Sequence, residues 1–315
     1  MENPKITVAD FIRDAPAEMQ LKLLAGEKNT TSREITAARI QKLGLALAGF
    51  AHYIHAGRIQ IVGQSEILFL NQLEREKRIE AIRNLNLEEI SCILITNYLT
   101  PPPELIEIAE KVGLPVLRTT QVSSKAIEII TNFLRQILAP QLTIHGVLVG
   151  IFGIGVLMLG ESGIGKSECA LDLVARGHNL ISDDVIIVKR IGDRLQGTSP
   201  ELTHEHLEIR GLGIINIRNL FGVSAIGKQK KQIDLCVELK RWDAVEEVER
   251  LGVETKTETI LGVQIPKFIL PVSSGRNLST LVETAVRIHL LKVSGYDAAQ
   301  ELIEKHTKLL TVQPR

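Results

Sequence analysis

The chain has few cysteines, few aromatic residues and no net charge. Its three cysteines lie far apart, at Cys92, Cys169 and Cys236. A sparse, odd set argues against a disulfide framework and is typical of proteins in the reducing cytoplasm. Aromatic residues make up 3% of the 315 residues, and the formal net charge is zero. We therefore expect neither a base-stacking platform for nucleic acid nor a surface that attracts nucleic acid or membranes.

The chain also lacks a clear membrane segment. The uncharged stretch 142–160 is long enough to span a bilayer, but its five glycines make a poor helix. We predict two strands instead, 146–151 and 156–159, joined by a turn near Phe152 and Gly153. The first residues, MENPKITVADFIRDAP, include acidic side chains and no apolar core, so we expect no secretory signal there.

Composition and length indicate an ordinary globular protein, with 44% apolar and 23% charged residues. The length predicts two domains, 1–132 and 133–315. Helix and strand patterns alternate in the first, which predicts an α/β domain. The predicted strands lie near 58–62, 90–96 and 115–117, and the predicted helices near 72–84, 104–112 and 123–138. Two amphipathic helices, 277–292 and 297–310, are predicted to close the second domain.

The segment GESGIGKS fits the phosphate-binding pattern G-x-x-x-x-G-K-[ST]. An apolar strand precedes it and a helical stretch, 168–176, follows, which is the context that the motif needs. Its glycines let backbone N–H groups turn toward phosphate oxygens. The lysine can reach the outer phosphates, and the serine hydroxyl can bind Mg²⁺. The predicted nucleotide-binding residues are Gly160, Glu161, Ser162, Gly163, Ile164, Gly165, Lys166 and Ser167.

Two adjacent acids, Asp183 and Asp184, follow the next apolar strand, 179–182. In an α/β unit, the end of this strand returns to the edge that carries the phosphate loop. By itself the pair would indicate a solvated turn. Behind a phosphate loop it predicts one acid at the metal and one that accepts a proton from an attacking hydroxyl. The carboxyl group that accepts this proton should have a raised pKa, because a neighbouring carboxylate disfavours its charged form.

A third segment, 206–216, carries Glu208 and Arg210 before a G-L-G sequence. Glu208 can supply a further oxygen ligand to Mg²⁺. The glycines indicate a loop that allows close backbone approach. His204 and His206 flank an acid as in some metal motifs, but we interpret them as surface histidines because zinc sites recruit further ligands.

These separated segments together resemble the HPr kinase/phosphorylase family, over nearly the whole chain. The similar segments are HGVLV at 145–149, the phosphate loop, Asp183-Asp184, LEIRGLGIIN at 207–216, RLG at 250–252 and PVSSGRN at 271–277, with GLALAGF at 44–50 and RIQIVG at 58–63 in the first domain. The resemblance implies a catalytic domain with a P-loop kinase fold similar to that of phosphoenolpyruvate carboxykinase. It also implies a homohexamer.

The resemblance implies roles for individual residues. It makes Lys166 the phosphate-binding lysine, and Ser167 and Glu208 the Mg²⁺ ligands. It makes Asp184 the general base of the phosphorylation reaction and the general acid of the dephosphorylation reaction. It adds Asp183, His145 and Arg250 to the catalytic set. It also implicates the signature residues Leu207, Arg210, Gly211, Gly213 and Asn216, and a block linked to dephosphorylation, Pro271, Val272, Ser273, Ser274, Gly275 and Arg276.

The chain departs from the family pattern at two places. Ser273-Ser274 stands where an Arg-Pro or similar pair is usual, which removes a charge from the block linked to the reverse reaction. Glu161 stands where aspartate is common in the family.

The function that the resemblance implies is phosphorylation of a serine on the phosphocarrier protein HPr by ATP or pyrophosphate with Mg²⁺, and phosphorolysis that returns pyrophosphate. A P-loop small-molecule kinase and a nucleotide-dependent regulator are the alternatives.

Overall fold

The computed structural model describes residues 4–50, 54–244, 256–273 and 275–312, and the elements below belong to this part of the chain. They form two compact units, Met1–Pro140 and Gln141–Arg315. The division falls later than the boundary expected after residue 132. Among the described helices, none is both long and apolar enough to cross a bilayer.

The first unit is built around a five-stranded sheet. The strands of this unit are β1 (Ile6–Thr7), β2 (Lys22–Ala25), β3 (Glu34–Ile35), β4 (Gln41–Lys42), β5 (Ile59–Val62), β6 (Cys92–Ile95) and β7 (Val116–Arg118). The strand order in the sheet is β2-β7-β6-β5-β4, in which β4 to β7 run parallel and β2 is antiparallel to β7. The helices are α1 (Val8–Asp14), α2 (Gly44–Leu47), α3 (Gln64–Gln72), α4 (Arg75–Arg83), α5 (Pro103–Val112) and α6 (Ser123–Ile137).

Alternation along the central strand β6 explains the helices on both faces of this sheet. Ile93 and Ile95 pack in the same apolar cluster as helices α3, α4 and α5, whereas Cys92 and Leu94 pack with α1 and α6. Side chains of a strand point to opposite faces in turn, so a strand that is apolar throughout needs a cover on each side. The predicted α/β class is confirmed for this unit. The predicted helix 72–84 is shorter than expected, because α3 ends at Gln72 and α4 begins at Arg75.

The second unit contains a six-stranded sheet and a four-stranded sheet. Its strands are β8 (Gln141–His145), β9 (Val147–Ile151), β10 (Ile154–Gly160), β11 (Asn179–Ser182), β12 (Val185–Ile191), β13 (Arg194–Thr198), β14 (His206–Ile209), β15 (Gly213–Asn216), β16 (Lys230–Ile233), β17 (Leu235–Arg241), β18 (Lys256–Ile260) and β19 (Val263–Val272). The strand order is β11-β9-β10-β17-β19-β18 in the larger sheet and β16-β13-β12-β8 in the smaller one. Its helices are α7 (Lys166–Ala175), α8 (Ile217–Phe221), α9 (Leu278–Val293) and α10 (Ala298–Val312).

Three layers pack in this unit. Val156 and Met158 of β10 pack on the side of helices α7 and α9, and Leu157 packs with residues of the four-stranded sheet. Strand β10 pairs antiparallel with β9 and parallel with β17, which runs parallel to β19. The predicted hairpin before the phosphate loop is confirmed. The carboxyl ends of β10, β17 and β19 therefore meet at one edge of the sheet.

A glycine in β10 makes the closest backbone approach in this hairpin. The N–H of Gly155 donates to the carboxylate of Asp234 at 2.8 Å, and a β-carbon there would lie 1.9 Å from the carbonyl oxygen of Gln232. We expect Gly155→Ala to lower the free energy of unfolding by about 2–4 kcal/mol, because neither backbone can move without losing pairing. Denaturant unfolding followed by circular dichroism measures the loss.

Gly150→Ala in the neighbouring strand is the matched control. A β-carbon at Gly150 would meet its nearest neighbour at 3.5 Å, which is an ordinary contact. We expect this control to change the unfolding free energy by less than about 1 kcal/mol. Equal losses in the two variants would contradict the close approach at Gly155.

Candidate active site

The phosphate loop joins the end of β10 at Gly160 to the start of α7 at Lys166. Gly160, Gly163 and Gly165 have φ angles of +149°, +78° and +100°, which residues other than glycine rarely adopt. Helix α7 follows directly, so its first backbone N–H groups lack partners within the helix. A loop of this shape at a helix N-terminus is suited to bind the oxygens of a phosphate.

The two polar side chains that end the loop already have partners. The ammonium group of Lys166 donates to the carbonyl oxygens of Gly160 and Glu161, each at 2.9 Å. The hydroxyl of Ser167 donates to Oδ1 of Asp183 at 2.9 Å. The lysine therefore lies over the loop where a phosphate would sit, and the serine links the loop to the acid pair.

The two acids differ in their surroundings. Strand β11 ends at Ser182 and β12 begins at Val185, so Asp183 and Asp184 form the junction between the two larger sheets rather than part of a strand. Asp184 takes a left-handed φ of +61°. Asp183 is buried, and its Oδ2 accepts a hydrogen bond from the N–H of Glu208 at 3.1 Å. The carboxylate of Asp184 is instead exposed.

The carboxyl group of Asp183, the buried member of the pair, has a raised pKa. Burial raises the pKa of Asp183, although hydrogen bonds from the Glu208 N–H and the Ser167 hydroxyl favour the ionised form, and the charge of Asp184 adds to the increase. The cause is therefore mainly loss of solvent and only secondarily a like charge. A bound cation would oppose this effect, because it favours the carboxylate.

We expect the carboxyl group of Asp183 to titrate above the ordinary aspartate value of 3.8 in the nucleotide-free protein. Carbon-13 NMR of the aspartate carboxyls, assigned with Asp183→Asn, measures this pKa. Asp172 is the internal control, because the hydrogen bond from Ser279 lowers its pKa below the same value. Addition of Mg²⁺ and nucleotide should lower the Asp183 pKa. Titration of Asp183 at or below 3.8 in the free protein would contradict this assignment.

His145 ends β8, beside the acid junction. Its Nδ1 lies 3.6 Å from Oδ1 of Asp184, and both side chains are largely exposed. Strand β8 pairs with β12 in a register that places His145 opposite Val185. This pairing brings His145 close to Asp184, although the two residues are distant in sequence. It explains why His145, which precedes the β9–β10 hairpin, lines the same cavity as the phosphate loop.

The segment 207–216 is a short hairpin of β14 and β15. Leu207 is buried in the core, and Gly211 and Gly213 have positive φ in the turn. The guanidinium group of Arg210 packs against Gly163 of the phosphate loop, where a β-carbon would lie 2.7 Å from Nη1. Asn216 accepts a hydrogen bond from the N–H of Asn219 and caps helix α8. This hairpin therefore supports the loop as well as lining the site.

One cavity of about 350 Å³ joins these groups. Most of the predicted catalytic and metal-binding residues line this cavity. Gly146 and Glu168 also line it, although the sequence analysis did not predict them as site residues. Its lining comprises His145, Gly146, Gly160, Ser162, Gly163, Gly165, Lys166, Ser167, Glu168, Asp183, Asp184, Glu208 and Arg210. Within the described residues, no three His, Cys, Asp or Glu side chains form a metal cluster. His204 and His206 form hydrogen bonds with Ser199 and with a backbone carbonyl instead.

None of the described residues of the block 271–276 lines this cavity. Val272 and Ser273 line a second cavity, and the guanidinium group of Arg276 donates to the carbonyl oxygen of Pro271 at 3.2 Å. Gly275 has a φ of +85°. Two residues implicated by the resemblance, Arg250 and Ser274, lie outside the described residues.

Comparison with known proteins assigns both halves of the chain. Residues 6–134 match the model of the HPr serine kinase N terminus, and residues 136–306 match that of the HPr serine kinase C-terminal domain. The chain belongs to the HPr serine kinase family. The resemblance inferred from the sequence is thus confirmed.

The chain is also similar to individual proteins of known name. The chain is 46% identical to HPr kinase/phosphorylase of Geobacter sulfurreducens, over 100% of this chain and 98% of the relative. It is 43% identical to that of Halalkalibacterium halodurans, over 96% of each chain. The solved structure of the HPr(Ser) kinase/phosphatase from Coxiella burnetii is 37% identical, with a TM-score of 0.46, and covers 51% of this chain and 98% of its own.

Proposed function

We propose that this family member phosphorylates a serine of HPr with ATP or pyrophosphate, and removes that phosphate by phosphorolysis. The observation that carries the proposal is a single cavity in which the phosphate loop, with Lys166, faces the acid couple Asp183 and Asp184. Family membership and the names of the relatives support HPr as the protein substrate.

In the forward direction, the loop N–H groups and Lys166 bind the outer phosphates of the donor. An incoming phosphate offers the ammonium group a charged acceptor in place of the Gly160 and Glu161 carbonyls. Asp184, exposed at the cavity, accepts the proton of the serine hydroxyl, whose oxygen then attacks the terminal phosphorus. Lys166 stabilises the charge that spreads over the transferred group, with Arg250 proposed to assist.

The donor set of the site fits Mg²⁺, which prefers oxygen ligands from one or two carboxylates together with phosphates. Ser167 and Asp183, whose oxygens lie 2.9 Å apart, would hold the ion, and Glu208 lines the same cavity. The ion would supply neutralisation of the phosphate charge. Asp183 thus acts by binding, and this leaves proton transfer to Asp184.

In reverse, inorganic phosphate attacks the phosphorus of phosphoserine, and the bond to the serine oxygen breaks. Asp184 returns its proton to that oxygen, and pyrophosphate forms. One carboxyl serves both directions because the base of the forward step must be the acid of the reverse step. His145, whose Nδ1 lies 3.6 Å from Oδ1 of Asp184, is proposed to orient that carboxylate.

We also infer a homohexamer and a cytoplasmic location. The hexamer is supported by the family resemblance, and the location by three buried cysteines without disulfides. Sedimentation of the purified protein tests the first inference, because a monomeric or dimeric mass would contradict it.

Transfer of labelled phosphate from ATP to purified HPr tests the proposed function. The matched acceptor is HPr in which the target serine is replaced by alanine, and a panel of hydroxylated metabolites tests the small-molecule kinase alternative. We expect label in HPr and none in the serine-free variant. Transfer to metabolites alone would reject the proposal, and label in the serine-free variant would show a different acceptor residue.

A further inference from the structure

A second cavity, of about 440 Å³, lies on the other side of the phosphate loop. Its volume lies within the range of about 300–1,000 Å³ that is usual for pockets that bind small organic ligands. Its lining comprises Glu161, Ser162, Gly163, Ile164, Arg241, Trp242, Asp243, Val272 and Ser273. The catalytic cavity and this one share Ser162 and Gly163, so the loop forms a wall of both.

The topology explains why these segments meet. The phosphate loop follows β10, Trp242 follows β17, and Ser273 follows β19. The three strands are parallel neighbours, with Gly160 paired to Leu239 and Arg241 paired to Val272. Their carboxyl ends form one edge, where open α/β sheets bind their ligands. The acid couple lies beyond β9 on the opposite side of the loop strand, so the second cavity extends the site away from the reacting phosphate.

The most unusual side chain in this cavity is the single tryptophan of the chain. Trp242 is 52% exposed, although its indole is the largest apolar group available for burial. The guanidinium group of Arg276 lies 5.2 Å from the ring centroid. A cation over one part of an exposed indole restrains the ring and leaves apolar surface open to the cavity.

We propose that Trp242 provides the surface on which the purine base of ATP stacks, with Arg276 holding the indole in place. This inference rests on the proposed function, because it takes ATP as the donor whose phosphates bind at the loop. The phosphates cross the shared wall at Ser162 and Gly163, with the terminal one toward Lys166 and Asp184. The nucleoside then occupies the second cavity, where stacking on an aromatic side chain tolerates any base with a π face.

The proposal separates the two phosphoryl donors. Pyrophosphate has no nucleoside, so it occupies the loop and leaves Trp242 untouched. A variant at Trp242 therefore weakens ATP and spares pyrophosphate, whereas general damage to the fold or to the loop weakens both. Inorganic tripolyphosphate carries the phosphates of ATP without adenosine, so its binding should also be unaffected by a change at Trp242.

Calorimetric titration of the full chain with ATP and with tripolyphosphate, each with Mg²⁺, tests this directly. We expect the wild type to bind ATP more tightly than tripolyphosphate. Trp242→Ala should raise the Kd for ATP roughly 5- to 150-fold, the range that loss of one stacked base implies, with less than about a twofold change for tripolyphosphate. Trp242→Phe should restore most of the ATP affinity, because phenylalanine keeps the aromatic face.

Phe152→Ala is the matched control. Phe152 also carries an arginine over its ring, with Arg287 at 4.2 Å, and it lies in the turn at the opposite end of β10 from the loop. This control should change neither affinity. Kinetics provide a second readout: Trp242→Ala should raise KM for ATP in HPr phosphorylation and leave KM for pyrophosphate unchanged.

The outcomes distinguish this inference from the proposed function. Equal affinity of the wild type for the two ligands, or equal weakening of both by Trp242→Ala, overturns the base site and leaves the kinase assignment standing. Absence of ATP binding by the wild type overturns both the base site at Trp242 and the proposed kinase function. Weakening of ATP alone, with recovery in Trp242→Phe, supports the base site.

Discussion

Lys166→Ala should reduce both HPr phosphorylation and its reversal by at least about 10²- to 10³-fold, the usual cost of removing one group that stabilises transition-state charge. The lysine ends the phosphate loop and lies over it, held at 2.9 Å by two loop carbonyls. Both reactions transfer a phosphoryl group at the same position, so both need this charge. Initial rates with ATP, with pyrophosphate and with phosphorylated HPr measure the effect.

Lys125→Ala is the control for this variant. Lys125 is an exposed lysine of the first unit that pairs with Glu128 on its own helix. Pairs of this kind contribute little to stability, so the variant should keep wild-type rates. Retention of more than a tenth of the activity by Lys166→Ala would show that the phosphates bind elsewhere.

Asp184→Asn should lower kcat about 10²- to 10⁴-fold in both directions, the range that general acid–base groups contribute. The amide cannot take the serine proton forward or return it in reverse. ATP affinity should change little, because the exposed Asp184 carboxylate has no hydrogen bond to the loop, whereas Asp183 accepts one from Ser167. Rapid-quench kinetics in each direction and calorimetric titration with ATP separate these effects.

Asp193→Asn is the matched substitution in the same sheet. Asp193 is exposed in the turn between β12 and β13, at the far end of the strand that begins after Asp184. It should leave both reactions unchanged. Loss of only one direction in Asp184→Asn would contradict the single-carboxyl mechanism and would require a second proton carrier, for which His145 is the nearest candidate.

Local patterns accounted for much of the fold. The alternation of strand and helix signals predicted the α/β first unit, and the predicted helix 104–112 corresponds to α5 (Pro103–Val112). The glycines of 142–160 correctly indicated a hairpin, because they disfavour a helix. Helix α3 (Gln64–Gln72) was not predicted, since its sequence has weak helical periodicity and tertiary packing decides its structure.

The functional site was predictable in outline but not in detail. The phosphate-loop motif and the acids identified the cavity, because both follow strands of one sheet. The left-handed backbone of Asp184 and the burial of Asp183 depend on the junction of two sheets, which no local pattern reveals. The packing of Arg210 on Gly163 is likewise a long-range contact. No local pattern predicted the position of Trp242, which follows directly after β17.

A labelled phosphorus atom can be followed through both reactions to test whether they occur at one site. HPr is labelled at serine from ATP carrying phosphorus-32 in its terminal phosphate, purified, and returned to fresh enzyme with unlabelled inorganic phosphate. We expect the label to leave as pyrophosphate, and we expect Lys166→Ala and Asp184→Asn each to stop its release. Release of the label as orthophosphate would show hydrolysis by water, and release that survives in both variants would place the reverse reaction at another site.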